Sequence, residues 1–193
     1  IDLSSTMKKK IIFLILKLFF FFFFTLQLNA SEQAWDLAQE GNKIILIRHS
    51  LAPGGGDPAG FKIDDCKTQR NLNKKGINQS KKIGKLFKKN KVLIDQVLSS
   101  QWCRCKDTAK FAFGEYKEFT ALNSTFQSPF DKNEGKQFKE LYNYVQKWNG
   151  NGKNLVLITH YSIITAVTNA VPSSWEIVIA DKNFKVLVTI LTD

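Results

Sequence analysis

Three short runs of mostly apolar residues give the chain its clearest pattern. They lie at Lys43–Ile47, Val92–Leu98 and Asn154–Thr159. Continuous runs of this length, rich in Ile, Val and Leu, are typical of strands buried on both faces of a parallel sheet. The pattern therefore predicts three central strands.

The segments around these strands have helical periodicity. Between Gly76 and Asn90, the side chains of Ile83, Leu86 and Phe87 share one face, while lysines occupy the other. The remaining predicted helices are Arg104–Phe113, the stripe Phe138, Leu141, Val145 and Trp148, and Tyr161–Ala170.

Shorter strands complete the predicted sheet. One is Tyr116–Thr120, and Trp175–Ala180 with Phe184–Leu191 predicts a hairpin. Buried strands that alternate with helices predict a three-layer α/β/α sandwich, in which the hairpin makes a mostly parallel sheet mixed. In such folds ligands bind beyond the carboxyl ends of the strands.

The first 30 residues have the composition of a targeting segment. Met7 is the single methionine, so we expect translation to start there and residues 1–6 to be read-through or a non-native extension. Lys8–Lys10 precede an apolar run that contains Phe19–Phe24, and Leu28–Ala30 resembles a signal-peptidase site.

We therefore predict a signal peptide at 7–30, one domain at 31–193, and an exported, periplasmic or secreted protein. An uncleaved membrane anchor is the alternative, and it would be the protein's contact with the membrane. Lys17 interrupts an apolar run that is already short for a membrane span, which favours the signal peptide.

The charge of the chain comes almost entirely from lysine. The formal net charge is +11, yet the only arginines are Arg48, Arg70 and Arg104, and the only histidines are His49 and His160. The lysines are scattered over helix faces without interleaved aromatics, which favours a solvated surface over a nucleic-acid site. Arginine, unlike lysine, grips oxyanions with a planar fork, so its positions are informative.

Export makes the three cysteines candidates for a disulfide. We expect Cys66 to pair with Cys103 or Cys105, which would leave one free thiol. The C-x-C spacing is poor for a metal site, so we expect neither a metal nor another cofactor.

The scarce arginines and histidines follow the predicted strands. Arg48 and His49 follow the first strand, Arg104 lies shortly after the second, and His160 follows the third. If these strands are parallel neighbours, the four side chains meet in a strongly cationic pocket without a carboxylate. Such a pocket suits a phosphate dianion held by charge-assisted hydrogen bonds.

The same cluster indicates a reaction. Neighbouring arginines disfavour the imidazolium form and lower the histidine pKa. A neutral imidazole can then attack phosphorus, while a second imidazole donates to an equatorial oxygen on which charge accumulates.

At these residues the chain resembles the histidine phosphatase superfamily, which has the phosphoglycerate mutase-like fold. The resemblance runs from about Lys43 to the C-terminus. Four segments match in the family's order: "LIRHS" at 46–50, "RNLNKKGINQSKKIG" at 70–84, "LSSQWCRCKDTAKF" at 98–111 and "VLITHYS" at 156–162.

The resemblance implies that His49 is the nucleophile and that Arg48, Arg104 and His160 bind the phosphoryl oxygens. Arg70 stands where small members, notably the phosphohistidine phosphatases, have an arginine near the pocket. A salt bridge at the start of the helix is the alternative role for Arg70.

Two departures from the family are visible. Ser50 replaces the glycine of the signature, and Asn123-Ser124 stands where many members carry a glutamate general acid. Without an acid, substrates with good leaving groups are favoured. Four carboxylates are candidate substitutes, each with a solvated loop position as the alternative: Asp57, Asp65, Asp131 and Glu134.

The sequence therefore predicts an exported, metal-independent phosphatase that acts on a small phosphorylated substrate. One branch of the family acts on phosphorylated envelope sugars, which makes an envelope phosphosugar the expected class. A non-catalytic phosphate- or phosphosugar-binding module is the main alternative. A lysine-rich protein that binds anionic membranes or nucleic acid is a third, and it leaves the arginine–histidine cluster unexplained.

Overall fold

The computed structural model describes residue 7, residues 10–17 and residues 32–192. Residues 1–6 and the predicted cleavage site at Leu28–Ala30 lie outside the described residues, as does most of the predicted signal peptide. Residues 10–17 are helical. No helix within the described residues is long and apolar enough to cross a membrane.

The domain alternates helices with strands along the chain. Its helices are α1 (32–39), α2 (Lys74–Lys89), α3 (Cys103–Phe113), α4 (Glu134–Lys147) and α5 (Tyr161–Thr168). Its strands are β1 (Ile44–Arg48), β2 (Ile94–Ser99), β3 (Lys117–Glu118), β4 (Asn154–Thr159), β5 (Ile177–Ala180) and β6 (Val186–Ile190).

The strands form one mixed sheet in the order β3-β2-β4-β1-β5-β6. The pairs β3–β2, β2–β4 and β4–β1 are parallel, and the hairpin β5–β6 adds to β1 in the antiparallel direction. The three predicted central strands are therefore parallel neighbours, with β4 between the other two. The predicted mixed, mostly parallel α/β fold is confirmed.

Alternating side chains of the strands feed two apolar layers. Ile45 and Ile47 of β1 pack in the layer that contains α2 and α3, whereas Ile44 and Leu46 pack in the layer that contains α4 and α5. Because successive side chains of a strand point to opposite faces, a strand covered on both sides must be apolar throughout. All four side chains are fully buried.

The bounds of several elements differ from the sequence prediction by a few residues, and three local differences are informative. Helix α1 was not predicted, although Ala34, Trp35 and Ala38 bury one of its faces against α2. Strand β1 extends one residue further than predicted and includes Arg48. Helix α5 ends two residues early because Asn169 adopts a left-handed conformation, with φ at 60°.

Helices α2 and α3 pack closely at Gly84. A Cβ atom at this position would overlap the carbonyl oxygen of Ala112, which belongs to the backbone of α3 and cannot rotate away. Only glycine therefore permits this approach of the two helices.

We predict that Gly84→Ala lowers the free energy of unfolding by about 1–3 kcal/mol, because α2 and α3 must separate to admit the methyl group. Gly135→Ala in α4 is the matched control, since its Cβ meets open space and should be neutral or stabilising by up to about 1 kcal/mol. Urea denaturation of both variants measures the difference. Equal stability of the two would contradict the close contact.

Candidate active site

The pairing of β1 with β4 brings the two histidines together. Arg48 and Thr159 are register partners at the ends of these strands, so His49 and His160 both follow at the same edge of the sheet. The backbone N–H of His49 donates to the Thr159 carbonyl at 3.0 Å, and the imidazole centres lie 5.4 Å apart. Both residues are 3% exposed.

The His49 ring is oriented by a hydrogen bond to its own segment. Nδ1 lies 2.8 Å from the Ser50 carbonyl oxygen, which can only accept, so Nδ1 carries the hydrogen. Nε2 therefore carries no hydrogen, and its lone pair accepts a hydrogen bond from Arg104 Nε at 3.2 Å. Burial, followed by the charge of Arg104, holds the His49 pKa well below 6.5.

Ser50, which stands where the family that the sequence resembles has glycine, fits this geometry. Ser50 is fully buried, its hydroxyl accepts a hydrogen bond from Ser80 of α2 at 2.8 Å, and its N–H donates to Thr108 at 3.0 Å. The departure at Ser50 thus ties the His49 segment to α2 and α3.

His160 has a different set of partners. Its Nε2 lies 2.9 Å from the Ser100 hydroxyl and 3.4 Å from Cys105 Sγ, while Nδ1 lies 3.5 Å from Arg104 Nη2. Arg104 can only donate, and Ser100 donates its one hydrogen to Asn123, so Nδ1 accepts from Arg104 and Nε2 carries the hydrogen that Ser100 accepts. Burial, and next the charge of Arg104, holds the His160 pKa well below 6.5.

A carboxylate lies inside the pocket, contrary to the prediction that the cationic cluster contains none. Arg104 Nη1 donates to both oxygens of Asp57, at 2.9 and 3.1 Å. Both side chains are only 3% exposed. Asp57 is therefore the buried ion-pair partner of Arg104, and the alternative interpretation as a solvated loop carboxylate is wrong.

The other two arginines border the same pocket, which has a volume of about 270 Å³. Arg48 Nη1 donates to the Pro172 carbonyl at 2.9 Å. Arg70 donates to the Gly56 carbonyl at 2.9 Å and to the Ala52 carbonyl. Its guanidinium therefore binds the backbone of the loop that carries Asp57 and forms no salt bridge within the described residues. Burial lowers the pKa of both guanidiniums, which stay charged at neutral pH.

The remaining candidate acids lie elsewhere. Asp65 caps a short 3-10 turn through the Lys67 N–H, and Asp131 and Glu134 are exposed; none of the three lines the pocket. Ser124 does line the pocket. Asn123, where an acid was expected, accepts hydrogen bonds from Ser100 and from the Gln101 backbone.

The disulfide joins Cys66 to Cys103 and leaves Cys105 as a buried free thiol. Burial raises the pKa of Cys105 to about 12, so the thiol stays protonated beside His160. The bridge attaches the loop before Arg70 to the first residue of α3, next to Arg104.

Several pocket residues were not predicted from the sequence. Trp102 donates to Asp57 from its indole Nε1 at 2.9 Å, and Tyr161 stacks its ring 5.7 Å from the Arg48 guanidinium. Ser162 borders the pocket with a buried hydroxyl. Only their positions beside Arg104 and His160 in the sequence could have indicated them.

Solved structures with the same fold include three of interest. The protein TTHB049 from Thermus thermophilus is 16% identical, with a TM-score of 0.55 over 78% of this chain and 99% of that one. The protein histidine phosphatase SixA complexed with tungstate is 14% identical, with a TM-score of 0.52 over 78% and 97%. Phosphoglycerate mutase from Thermus thermophilus is 16% identical, with a TM-score of 0.52 over 78% and 99%. No protein-family model and no curated protein matches the sequence.

The two histidines make stability depend on pH. Both are neutral in the folded protein because their pKa values lie well below 6.5, whereas the unfolded chain binds protons near its ordinary pKa of 6.5. Their contribution to stability is present above pH 6.5 and is lost as the pH falls below it, at about 1.4 kcal/mol per pH unit for each histidine.

We therefore predict that His49→Asn weakens the dependence of the unfolding free energy on pH between 6.5 and 5 by about half of the histidine contribution. Urea denaturation at several pH values measures the slopes, with Asp64→Asn, an exposed loop carboxylate, as the control. An unchanged slope in His49→Asn would show that His49 is not buried in its neutral form.

Proposed function

We propose that the protein is a metal-independent phosphatase that hydrolyses phosphomonoesters through a phosphohistidine on His49. The observation that carries the proposal is the tautomer of His49. Its Nδ1–H donates a hydrogen bond to the Ser50 carbonyl, so Nε2 carries the lone pair, which faces Arg104 in a buried pocket. A neutral imidazole beside guanidiniums is a nucleophile placed next to the groups that would bind its target.

The charge of the pocket supports a dianionic ligand. Three guanidiniums and one carboxylate, Asp57, line it, and both imidazoles are neutral, so two net positive charges remain. No lysine and no second carboxylate lines the pocket among the described residues. A phosphomonoester dianion would neutralise this charge.

Unpaired donors in the pocket also support an anion. Arg48 Nε and the Ser162 hydroxyl are buried, and neither has a hydrogen-bond partner among the described residues. Since buried polar groups are nearly always paired, two unpaired groups lining one cavity favour a ligand that supplies acceptors. Helix α5, which begins at Tyr161 beside the pocket, adds the positive end of its dipole.

The reaction proceeds in two transfers. When the ester binds, Arg104 Nε transfers its hydrogen bond from His49 Nε2 to a phosphoryl oxygen, which frees the Nε2 lone pair. His49 Nε2 attacks phosphorus, an N–P bond forms, and the bond from phosphorus to the leaving oxygen breaks with its electron pair on that oxygen. Water then attacks phosphorus, and the N–P bond breaks with its pair returning to Nε2. Dihydrogen phosphate, which keeps both protons of the water, is released, and neutral His49 is regenerated. Arg48, Arg104 and His160 bind the equatorial oxygens, where negative charge accumulates.

The leaving group departs without a proton from the protein. Asn123 and Ser124 stand where the family's acid is expected, and the one carboxylate of the pocket is paired with Arg104. The proposed substrates are therefore compounds whose leaving group is stable as an anion, such as aryl phosphates.

Two further observations support the proposal and its setting. The structurally similar SixA was solved with tungstate, a tetrahedral oxyanion. The predicted signal peptide and the Cys66–Cys103 bridge favour an exported protein, since disulfides persist in oxidising compartments.

We predict that the purified protein hydrolyses 4-nitrophenyl phosphate and that His49→Ala lowers kcat/KM more than about a thousandfold, because the nucleophile is lost. Lys75→Ala, an exposed substitution on α2, is the control and should match the wild type. Acid quenching with a labelled phosphate ester should trap phosphate on wild-type protein and not on His49→Ala.

Equal rates for His49→Ala and wild type would eliminate the mechanism. Tight binding of inorganic phosphate without labelling or turnover would instead favour the non-catalytic binding module, an alternative motivated by Asn123 and Ser124 at the position of the acid.

A further inference from the structure

Asp57 is surrounded by hydrogen-bond donors. Its Oδ1 accepts from Arg104 Nη1 at 2.9 Å and from the Arg70 backbone N–H at 3.0 Å. Its Oδ2 accepts from Trp102 Nε1 at 2.9 Å and from Arg104 Nη1 at 3.1 Å. Both oxygens are thus fully engaged as acceptors inside the protein.

The three nitrogens of the Arg104 guanidinium have different partners, and Nη1 also donates to the Arg70 carbonyl at 3.4 Å. Nη1 binds Asp57, Nε donates to His49 Nε2 at 3.2 Å, and Nη2 lies 3.5 Å from His160 Nδ1. Because a guanidinium is planar and rigid, fixing Nη1 fixes the direction of the other two nitrogens. The carboxylate therefore holds the Nε–Nη2 edge of Arg104 against both imidazoles.

We propose that Asp57 is a positioning residue: it fixes the Arg104 guanidinium so that its Nε–Nη2 edge faces the phosphoryl site between His49 and His160. The proposal rests on the proposed phosphatase function, and it assigns Asp57 a role other than the general acid that the sequence left open.

The surroundings of Asp57 argue against proton donation. A general acid must begin with a proton on the oxygen that faces the leaving group. A proton on either oxygen of Asp57 would point at Arg104, Trp102 or the Arg70 N–H, which are all donors, and it would break the ion pair with a buried cation.

The loop that carries Asp57 is anchored well enough to act as a fixed support. The Asp57 N–H donates to Gln127 at 2.9 Å, and Arg70 binds the Gly56 carbonyl of the same loop. The Cys66–Cys103 bridge attaches the end of this segment to the start of α3, one residue before Arg104. The disulfide thus links the segment that carries Asp57 to the helix that carries Arg104.

The test compares Asp57→Asn with wild type on 4-nitrophenyl phosphate and on phenyl phosphate, whose leaving group is the poorer one. Asparagine keeps the size of aspartate and removes its charge. A positioning role predicts that kcat/KM falls at least about tenfold, by the same factor for both substrates, because phosphoryl-group binding is impaired and proton transfer is not. Asp64→Asn, an exposed carboxylate of the same segment, is the control and should match the wild type.

A second readout separates positioning from general loss of structure. The chain has only three arginines, so an NMR spectrum of arginine Nε–H groups has few signals. In Asp57→Asn the Arg104 signal should shift or broaden, and the Arg70 backbone amide, which donates to Asp57, should shift with it. The Arg48 signal and the backbone amides away from Asp57 should stay as in wild type. If Asp57→Asn does not fold, Trp102→Phe, which removes one donor to Asp57, should show a smaller loss, again equal for both substrates.

Three results would overturn the proposal. An unchanged kcat/KM, or an unchanged Arg104 signal, would show that Asp57 does not position Arg104. A much larger loss on phenyl phosphate than on 4-nitrophenyl phosphate would make Asp57 the general acid. Wild-type protein without turnover or labelling would instead refute the proposed phosphatase, and the Arg104 signal would still report whether Asp57 orients the guanidinium.

Discussion

The Arg104 guanidinium is buried, and a buried cation is stable only where protein groups replace the water that it has lost. Here the replacements are a carboxylate and two imidazoles, contributed by the loop after β1, the end of β1 and the end of β4. This one side chain therefore requires the parallel pairing of β1 with β4, the start of α3 after β2, and the conformation of the Asp57 loop. Burial, and next the charge of Arg104, keeps both histidines neutral, which links the packing of the domain to its proposed chemistry.

The sheet and four of the pocket side chains could be predicted from sequence because their signals are local. A strand buried on both faces leaves a continuous apolar run, and rare arginines and histidines directly after such runs mark the carboxyl edge of the sheet. Arg48, His49, Arg104 and His160 follow from this reasoning alone. These side chains lie together only if the three strands are parallel neighbours, and the order β2-β4-β1 meets this condition.

The rest depends on contacts between distant segments. From the sequence, Asp57 is either a candidate general acid or a solvated loop residue, since its partners Trp102 and Arg104 lie far along the chain. The choice of Cys103 over Cys105 follows from their places on α3: Cys103 is its first residue, while Cys105 is fully buried against His160. Neighbouring arginines predict a low histidine pKa from the sequence, yet burial lowers the pKa of both histidines more than Arg104 does. The extent of burial depends on the whole fold, so it could not be predicted from neighbouring residues.

The central claim is that His49 Nε2 attacks a phosphoryl group held by Arg104, and a crystal structure with vanadate tests it most directly. Vanadate adopts the five-coordinate geometry of a phosphoryl group during transfer. The predicted result is vanadium bonded to His49 Nε2, with equatorial oxygens contacting Arg48, Arg104 and His160 and with the Asp57–Arg104 ion pair intact. Vanadate bound elsewhere, or a pocket in which Arg104 Nε still donates to His49 Nε2 at saturating vanadate, would contradict it.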